Sequence, residues 1–177
     1  MINSKDIVFN ELIPVLKNVT VFAGLDDDDI EKICRNCTIL QAKAGEIILE
    51  ENQPATEIFI IVKGKVKIVL NLKEDPFELI EFGVGDCIGE ASVIGIQNHS
   101  ASAVTIEDAT LLVLSRNVLM HIFDTDKGLF SFLILNIARE LARRLHHTDE
   151  VLLHGGKFNR NNPELPVLNQ LPLKKAH

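Results

Sequence analysis

The region between residues 38 and 114 alternates short apolar stretches with glycines, and no other feature of the chain constrains the fold as much. Seven stretches have the period-two pattern and β-branched content that are typical of strands. They span residues 38–40, 46–49, 58–62, 65–70, 78–82, 101–106 and 110–114. Gly45, Gly64, Gly83 and Gly85 lie between or beside these stretches, where the chain must turn. Many short strands at close spacing predict a sandwich or jelly roll.

Helices are predicted before the strands. Residues 4–16 carry a helical apolar stripe that is interrupted near Pro14. A second helix is predicted over residues 27–36, preceded by the acidic run Asp26–Asp29. Carboxylates are favoured at a helix start by the helix dipole, so we interpret this run as a helix start rather than as a metal site.

Two more helices are predicted after the strands. Ser115 is a suitable N-cap for a short helix over residues 118–123. A long helix is predicted from about residue 127 to 153, before Gly155 and Gly156. Its apolar stripe is broader than one sheet face requires, which favours packing on its own domain and on a partner helix. We therefore expect a homodimer formed through the long helix.

Three segments follow from this order of elements. We expect an N-terminal helix within residues 1–19, a mainly β domain with its long helix over residues 20–153, and a tail over residues 154–177. The tail contains three prolines and no pattern from which a helix–turn–helix could be built, so it is expected to be extended or partly disordered.

Charge and composition limit the kinds of partner that we expect for this chain. The formal net charge is −7, which argues against nucleic acid, because phosphate binding requires clustered Lys and Arg. The first residues are polar, and no apolar run reaches about 18 residues, so neither a signal peptide nor a membrane span is expected. A cytoplasmic protein without membrane contact is the expectation.

The three cysteines do not form an obvious framework. An odd number argues against disulfides. Cys34 and Cys37 have the spacing of a redox or zinc motif, but only Cys87 remains as a further thiol ligand, and the predicted elements around the pair are in the wrong order for a thioredoxin-like site. Ordinary buried thiols are the favoured interpretation.

The segment from residue 85 to 104 carries the most specific motif. It contains Gly89-Glu90-Ala91-Ser92, and His99 follows ten residues after Gly89, before the small residues Ser100-Ala101-Ser102-Ala103. Small residues at a helix start let backbone amides approach an anion. The segment resembles the phosphate-binding cassette of the cyclic nucleotide-binding domain family, which includes the regulatory domains of protein kinase A and of the cyclic AMP receptor protein. The resemblance covers roughly residues 20–153 and implies a double-stranded β-helix, or jelly roll, followed by a long C-terminal helix.

The resemblance also implies roles for the residues of the cassette. Glu90 matches the glutamate that binds the ribose 2′-hydroxyl. Ala91, Ser92 and Ala101 match positions whose backbone amides face the phosphate, and Ser100 can add a hydroxyl. Gly89 matches the glycine that precedes the glutamate.

The base end is predicted from the long helix. Residues 142–148 resemble a segment of the cyclic AMP receptor protein in which an arginine and a threonine lie at the ligand; these positions are Arg144 and Thr148 here. The alternative is a solvated basic turn near a helix C-terminus, which the dipole also favours. Ile68 and Leu79 match apolar positions of the purine pocket, although core packing would explain them equally well.

His99 departs from the family pattern, which has an arginine that pairs with the cyclic phosphate. Arginine offers a planar fork and a permanent charge, whereas histidine offers neither. Three alternatives follow: His99 binds the phosphate weakly, with affinity rising as the pH falls; another cation such as Arg144 compensates; or nucleotide binding is lost and the fold retained.

The resemblance implies a non-enzymatic, stand-alone sensor that binds cyclic AMP, with cyclic GMP as a second possibility, and signals through its long helix to an effector protein. One alternative is a degenerate domain that serves as an interaction scaffold. Another is a metal-dependent cupin, but the chain has no His-x-His pair for the metal. No catalytic residue, metal or cofactor is expected.

Overall fold

Eight strands and four α-helices make up the fold in a computed structural model that describes residues 12–154, with side chains to residue 149. The strands are β1 Thr38–Ala42, β2 Ile47–Leu49, β3 Glu57–Lys63, β4 Val66–Leu70, β5 Phe77–Phe82, β6 Cys87–Ile88, β7 Ser102–Thr105 and β8 Ala109–Ser115. The helices are α1 Asp27–Cys34, α2 Glu90–Ile94, α3 Arg116–Thr125 and α4 Lys127–His154. Residues 12–16 are also helical, and a 3₁₀ turn covers Thr20–Phe22.

The strands form two four-stranded antiparallel sheets. One has the order β1-β8-β3-β6 and the other β2-β7-β4-β5. Strands distant in sequence are neighbours in both sheets, as β3 and β8 are, with Ile58 opposite Leu114. This is the predicted jelly roll, and the long helix that follows it is also confirmed.

Strand β3 shows how the period-two pattern builds two apolar cores. Ile58 and Ile60 point to a core shared with the helices, which also contains Ile30 and Leu133. Residues of the opposite parity, among them Ile61, pack in a second core between the two sheets. Both faces of β3 are therefore buried.

Side-chain caps and one buried amide position the helices. The Asp26 carboxylate accepts from the Asp29 amide at 2.9 Å, and the Ser115 hydroxyl accepts from the Val118 amide at 3.3 Å. Asn136, which is buried, donates its amide to the carbonyl of Ala23 at 2.8 Å and so fixes α4 against the N-terminal segment. These contacts hold α4 along the domain, where its later turns reach the β6–α2 connection.

The predicted boundaries of the strands and of the helices over residues 27–36, 118–123 and 127–153 agree with the structure to within a few residues. The 3₁₀ turn Thr20–Phe22 was not predicted. The two-residue strand β6 was not predicted, because two residues are too short for a periodic signal. Most of the predicted N-terminal helix and nearly all of the 154–177 tail lie outside the described residues. Across residues 12–154, no helix is long and apolar enough to cross a membrane.

Candidate functional site

A cavity of about 120 Å³ lies where β6 meets α2 and α4. It is lined by Leu49, Ile68, Phe82, Ile88, Gly89, Glu90, Ala91, Ser92, His99, Ser100, Ala101 and Arg144. The lining combines the charged pair Glu90 and Arg144 with small residues, His99 and apolar side chains.

Gly89 makes the sharp turn into this cavity. Its φ is +85°, in the left-handed region that favours glycine. A Cβ built there would lie 2.8 Å from the carbonyl oxygen of Glu57, which belongs to the backbone of β3. The position therefore requires glycine for two independent reasons, and the turn it makes directs Glu90 inward.

Glu90 is the most deeply buried acid at the site. The residue is 2% exposed, and its Oε1 accepts a 2.6 Å hydrogen bond from an Nη of Arg144. The second oxygen, Oε2, has no hydrogen-bond partner among the described residues. Burial raises the pKa of Glu90 above its ordinary value, against the opposing effect of the Arg144 charge.

Arg144 links α4 to three different parts of the site. Its Nε donates to Glu140 at 3.0 Å, and an Nη donates to the carbonyl of Cys87 at 2.9 Å. The guanidinium also lies 4.6 Å from the centre of the Phe82 ring, in a cation–π contact. Burial alone would lower the pKa of Arg144, but the neighbouring acidic groups raise it. The guanidinium thus remains charged and holds the helix to the cavity.

His99 lines the same cavity, and Cε1 of its ring would lie 3.5 Å from a Cβ built on Gly89. The residue is 7% exposed, and its backbone is held on both sides: its amide donates to Gln53 at 2.9 Å, and its carbonyl accepts from Asn52 at 2.8 Å. The imidazole makes no hydrogen bond to a protein group among residues 12–149. Burial lowers the pKa of His99, which favours the neutral ring in the empty protein.

Nine of the eleven predicted site residues line the cavity together: Ile68, Gly89, Glu90, Ala91, Ser92, His99, Ser100, Ala101 and Arg144. The structure does not bring the other two to its walls. Leu79 lies at an irregularity in the β4–β5 pairing, and Thr148 is exposed, its hydroxyl donating to the carbonyl of Arg144 at 2.9 Å.

Several residues that shape the site were missed in the sequence. Phe82 and Leu49 line the cavity from strands whose apolar residues all resemble core positions. Glu140 lies one helical turn before Arg144, and this spacing was a signal that an ion pair could form. The contact of Arg144 with the Cys87 carbonyl has no sequence signal, because any residue supplies a carbonyl.

Neither the cysteines nor the acids form a metal site in the part of the chain that the structure describes. No group of three or more His, Cys, Asp or Glu side chains is placed to hold a metal there. Cys34, Cys37 and Cys87 are free and buried, and burial raises the pKa of each thiol. The Asp26–Asp29 run begins α1, as expected.

Residues 39–126 match the family described as the cyclic nucleotide-binding domain. A CRP-like cAMP-activated global transcriptional regulator of Mycobacterium tuberculosis is 26% identical over 139 residues, which cover 78% of this chain and 60% of that protein. A putative potassium channel protein of Rhodopseudomonas palustris is 30% identical over 114 residues, 64% of this chain and 27% of the relative. The chain therefore spans less than two thirds of either relative.

Solved structures show the same fold. A cyclic nucleotide-binding domain from Methylobacillus flagellatus superposes with a TM-score of 0.75 at 20% identity, covering 88% of both chains. The catabolite activator protein of Thermus thermophilus superposes with a TM-score of 0.66 at 26% identity, covering 77% of this chain and 63% of that one. The agreement includes the roll and the helix that follows it.

Proposed function

We propose that this chain, whose residues 39–126 belong to the cyclic nucleotide-binding domain family, binds a cyclic nucleotide in the cavity beside Glu90. One observation carries the proposal: Glu90 is 2% exposed, and its Oε2 has no donor among the described residues. A buried carboxylate oxygen without a donor is costly. A ribose hydroxyl in the cavity would supply that donor while Oε1 stays with Arg144.

The small residues of the cavity suit a phosphate. Ala91, Ser92, Ser100 and Ala101 all line the cavity, and their small side chains leave room for an anion to approach the backbone amides. His99 lines the same cavity. One small molecule that carries both a sugar hydroxyl and a phosphate would contact Glu90 and these residues together.

Cyclic AMP is the favoured ligand within this class. Ile68 and Phe82 offer apolar surface to a purine, and Arg144 already lies over the Phe82 ring. Thr148, one turn beyond Arg144 on α4, is the candidate for contact with the adenine edge, as the resemblance implies. The similarity to a cAMP-activated regulator supports the same choice.

The size of the cavity supports a role for α4 in signalling. About 120 Å³ is small beside the roughly 300–1,000 Å³ of typical ligand pockets. Because Arg144 reaches into the cavity from α4, a nucleotide must share or displace its contacts with Glu90 and Phe82. A ligand that binds one position of α4 better than another shifts the helix toward that position, which is how the domain would act on an effector protein in the cytoplasm.

The outer face of α4 supports dimerisation. Leu135, Ala138, Ala142 and Leu145 are exposed and follow the three-and-four spacing of a coiled-coil seam, and Leu145 is 64% exposed. Replacing Leu145 with Asp should convert the dimer to a monomer in sedimentation experiments. Met120→Asp, at an exposed apolar position of α3, is the control and should leave the dimer intact. A wild-type monomer at all concentrations would contradict this part of the proposal.

A scaffold without nucleotide binding is the second candidate, and the charge of the cavity favours it. Glu90 and Glu140 both contact Arg144, and no arginine stands at position 99. A surplus of acid disfavours an anionic ligand. The two candidates differ in one measurable property, the affinity for a cyclic nucleotide.

Calorimetric titration with cyclic AMP and cyclic GMP separates them. The protein is first unfolded and refolded to remove any ligand that co-purifies with it. We expect saturable binding, and a 10- to 100-fold loss in Glu90→Gln, because a hydrogen bond to a charged group contributes about 1.5–3 kcal/mol. Glu107→Gln, at an exposed position in the β7–β8 turn, changes the charge equally and should bind normally. No binding of either nucleotide would favour the scaffold.

A further inference from the structure

His99 lies in a wall between two cavities. One is the cavity beside Glu90; the other is a cleft of about 360 Å³ lined mainly by residues 47–59 of β2, β3 and the loop between them. Leu49 is the other residue that borders both. His99 therefore borders open space on both sides, and a ring in this place is free to meet a ligand.

Main-chain hydrogen bonds, and not hydrogen bonds of the side chain, hold His99 in place. Gln53 and Asn52 hold the residue through main-chain hydrogen bonds that any amino acid could make. No described protein group bonds to the ring nitrogens. An imidazole that borders a cavity and makes no hydrogen bond to a described protein group is available for contact with a ligand.

We propose that His99 recognises the ligand's phosphate only as an imidazolium ion, so that each cyclic nucleotide bound brings about one proton from solvent onto His99. The inference rests on the proposed function and deepens it. A neutral imidazole donates one hydrogen bond and carries no charge, whereas imidazolium donates two and supplies the charge that arginine would supply permanently. A phosphate in contact with the ring favours the protonated form.

The other charged groups near the cavity are acidic or already paired, so the charge that meets the phosphate has to come from His99. On the cassette side, Glu90 and Arg144 line the cavity and are paired with each other. On the cleft side, Glu50 and Glu57 line the wall, and Glu50 pairs with Lys73. Burial raises the pKa of Asp86, against the opposing effect of the Arg144 charge. Among the described residues that line the cavity, Arg144 is the one fixed cation, and it already contacts Glu90 and Glu140.

Proton linkage fixes the direction in which the affinity for the nucleotide changes with pH. Burial lowers the pKa of His99 in the empty protein, and the phosphate raises it in the complex. Affinity is therefore highest below the empty-state pKa, falls by up to tenfold per pH unit between the two pKa values, and is constant above the bound-state value. Glu90 acts in the opposite direction: its raised pKa weakens ribose binding as the pH falls through the acid range.

Calorimetry in pairs of buffers with different ionisation enthalpies measures the protons taken up. For cyclic AMP between pH 6 and 8, we expect uptake of up to about one proton per ligand by wild type and none by His99→Arg or His99→Gln. The affinity of His99→Arg should be high and independent of pH across this range. Adenosine lacks the phosphate, so any binding of it by wild type should take up no proton at His99.

The outcomes separate the inference from the proposed function. Wild-type binding of cyclic AMP with constant affinity and no proton uptake would overturn the role of His99 and leave the proposed function standing. Strong binding by His99→Arg with none by wild type would also overturn it. Failure of wild type and of folded His99→Arg to bind at any pH would overturn the proposed function itself. Thermal unfolding of each variant establishes that it is folded.

Discussion

Two parts of the cavity lining, Glu90 with Arg144 and His99 with its small neighbours, differ in the contacts that hold them. In the first, the acid and Arg144 are held by direct contacts at 2.6 Å, and Arg144 makes further contacts with Glu140, the Cys87 carbonyl and the Phe82 ring. His99 is 7% exposed, against 2% for Glu90, and its ring makes no hydrogen bond to described protein groups. Glu90 and Arg144 are therefore fixed by contacts within the protein, whereas our proposal for His99 predicts a positive charge there only when a ligand binds.

The variant with the largest expected effect on stability removes Arg144, which binds Glu90. Arg144→Ala should destabilise the fold by about 3 kcal/mol, because it leaves the buried carboxylate of Glu90 without its cation. Urea unfolding at one protein concentration measures the loss. Arg143→Ala is the control: Arg143 also pairs with Glu140, but its side chain is 59% exposed, so its loss should cost less than about 1 kcal/mol. Equal losses would show that the buried network is not special.

A second test changes Gly89, which makes the turn before Glu90. Gly89→Ala should cost about 2–3 kcal/mol, because its Cβ would lie 2.8 Å from the Glu57 carbonyl and 3.5 Å from Cε1 of His99. Gly45→Ala shares the positive φ but has nothing within 4 Å of the added Cβ, so its cost of about 1 kcal/mol measures the backbone term alone. Chemical denaturation of both variants gives the difference, and identical costs would mean that the turn relaxes freely.

The smallest effect concerns the pH dependence of stability at His99. Because burial lowers the pKa of His99, the unfolded chain binds the proton more tightly than the folded one. The stability that depends on a neutral His99 ring is fully present above the ordinary histidine range and is lost as the pH falls through the folded-state pKa. Wild type should therefore lose up to about 1 kcal/mol more than His99→Gln between pH 7 and 5.5 in urea unfolding. Parallel pH profiles would contradict the burial of a neutral ring.

Much of the roll was predictable because strand patterns are local. The alternation in β3 places Ile58 and Ile61 on opposite faces whatever the partners are, and the caps Asp26 and Ser115 act within one turn. Strand β6 was missed because two residues cannot show a period. The candidate site was predicted from the cassette, the 142–148 segment of the long helix and two strand positions, and nine of its eleven residues do meet in the cavity.

The exceptions among the site residues have a common cause. Leu79 and Thr148 were carried over from the family pattern, and a strand irregularity and the exposure of α4 keep them from the cavity wall. Phe82 could not be distinguished from core residues, since its role depends on where α4 crosses the sheet. That Thr148 contacts a ligand stays a prediction.

The sequence alone determined the order of strands and helices, the glycine before Glu90 and the histidine at position 99, since each can be read from local sequence. Only the tertiary structure decided that Arg144, 54 positions after Glu90, meets its carboxylate, and that His99 is buried with its ring unengaged. Both facts depend on where α4 and the β2–β3 loop pack. Burial then sets the charge of each group, because desolvation depends on the surroundings that the fold assembles and not on the residue itself.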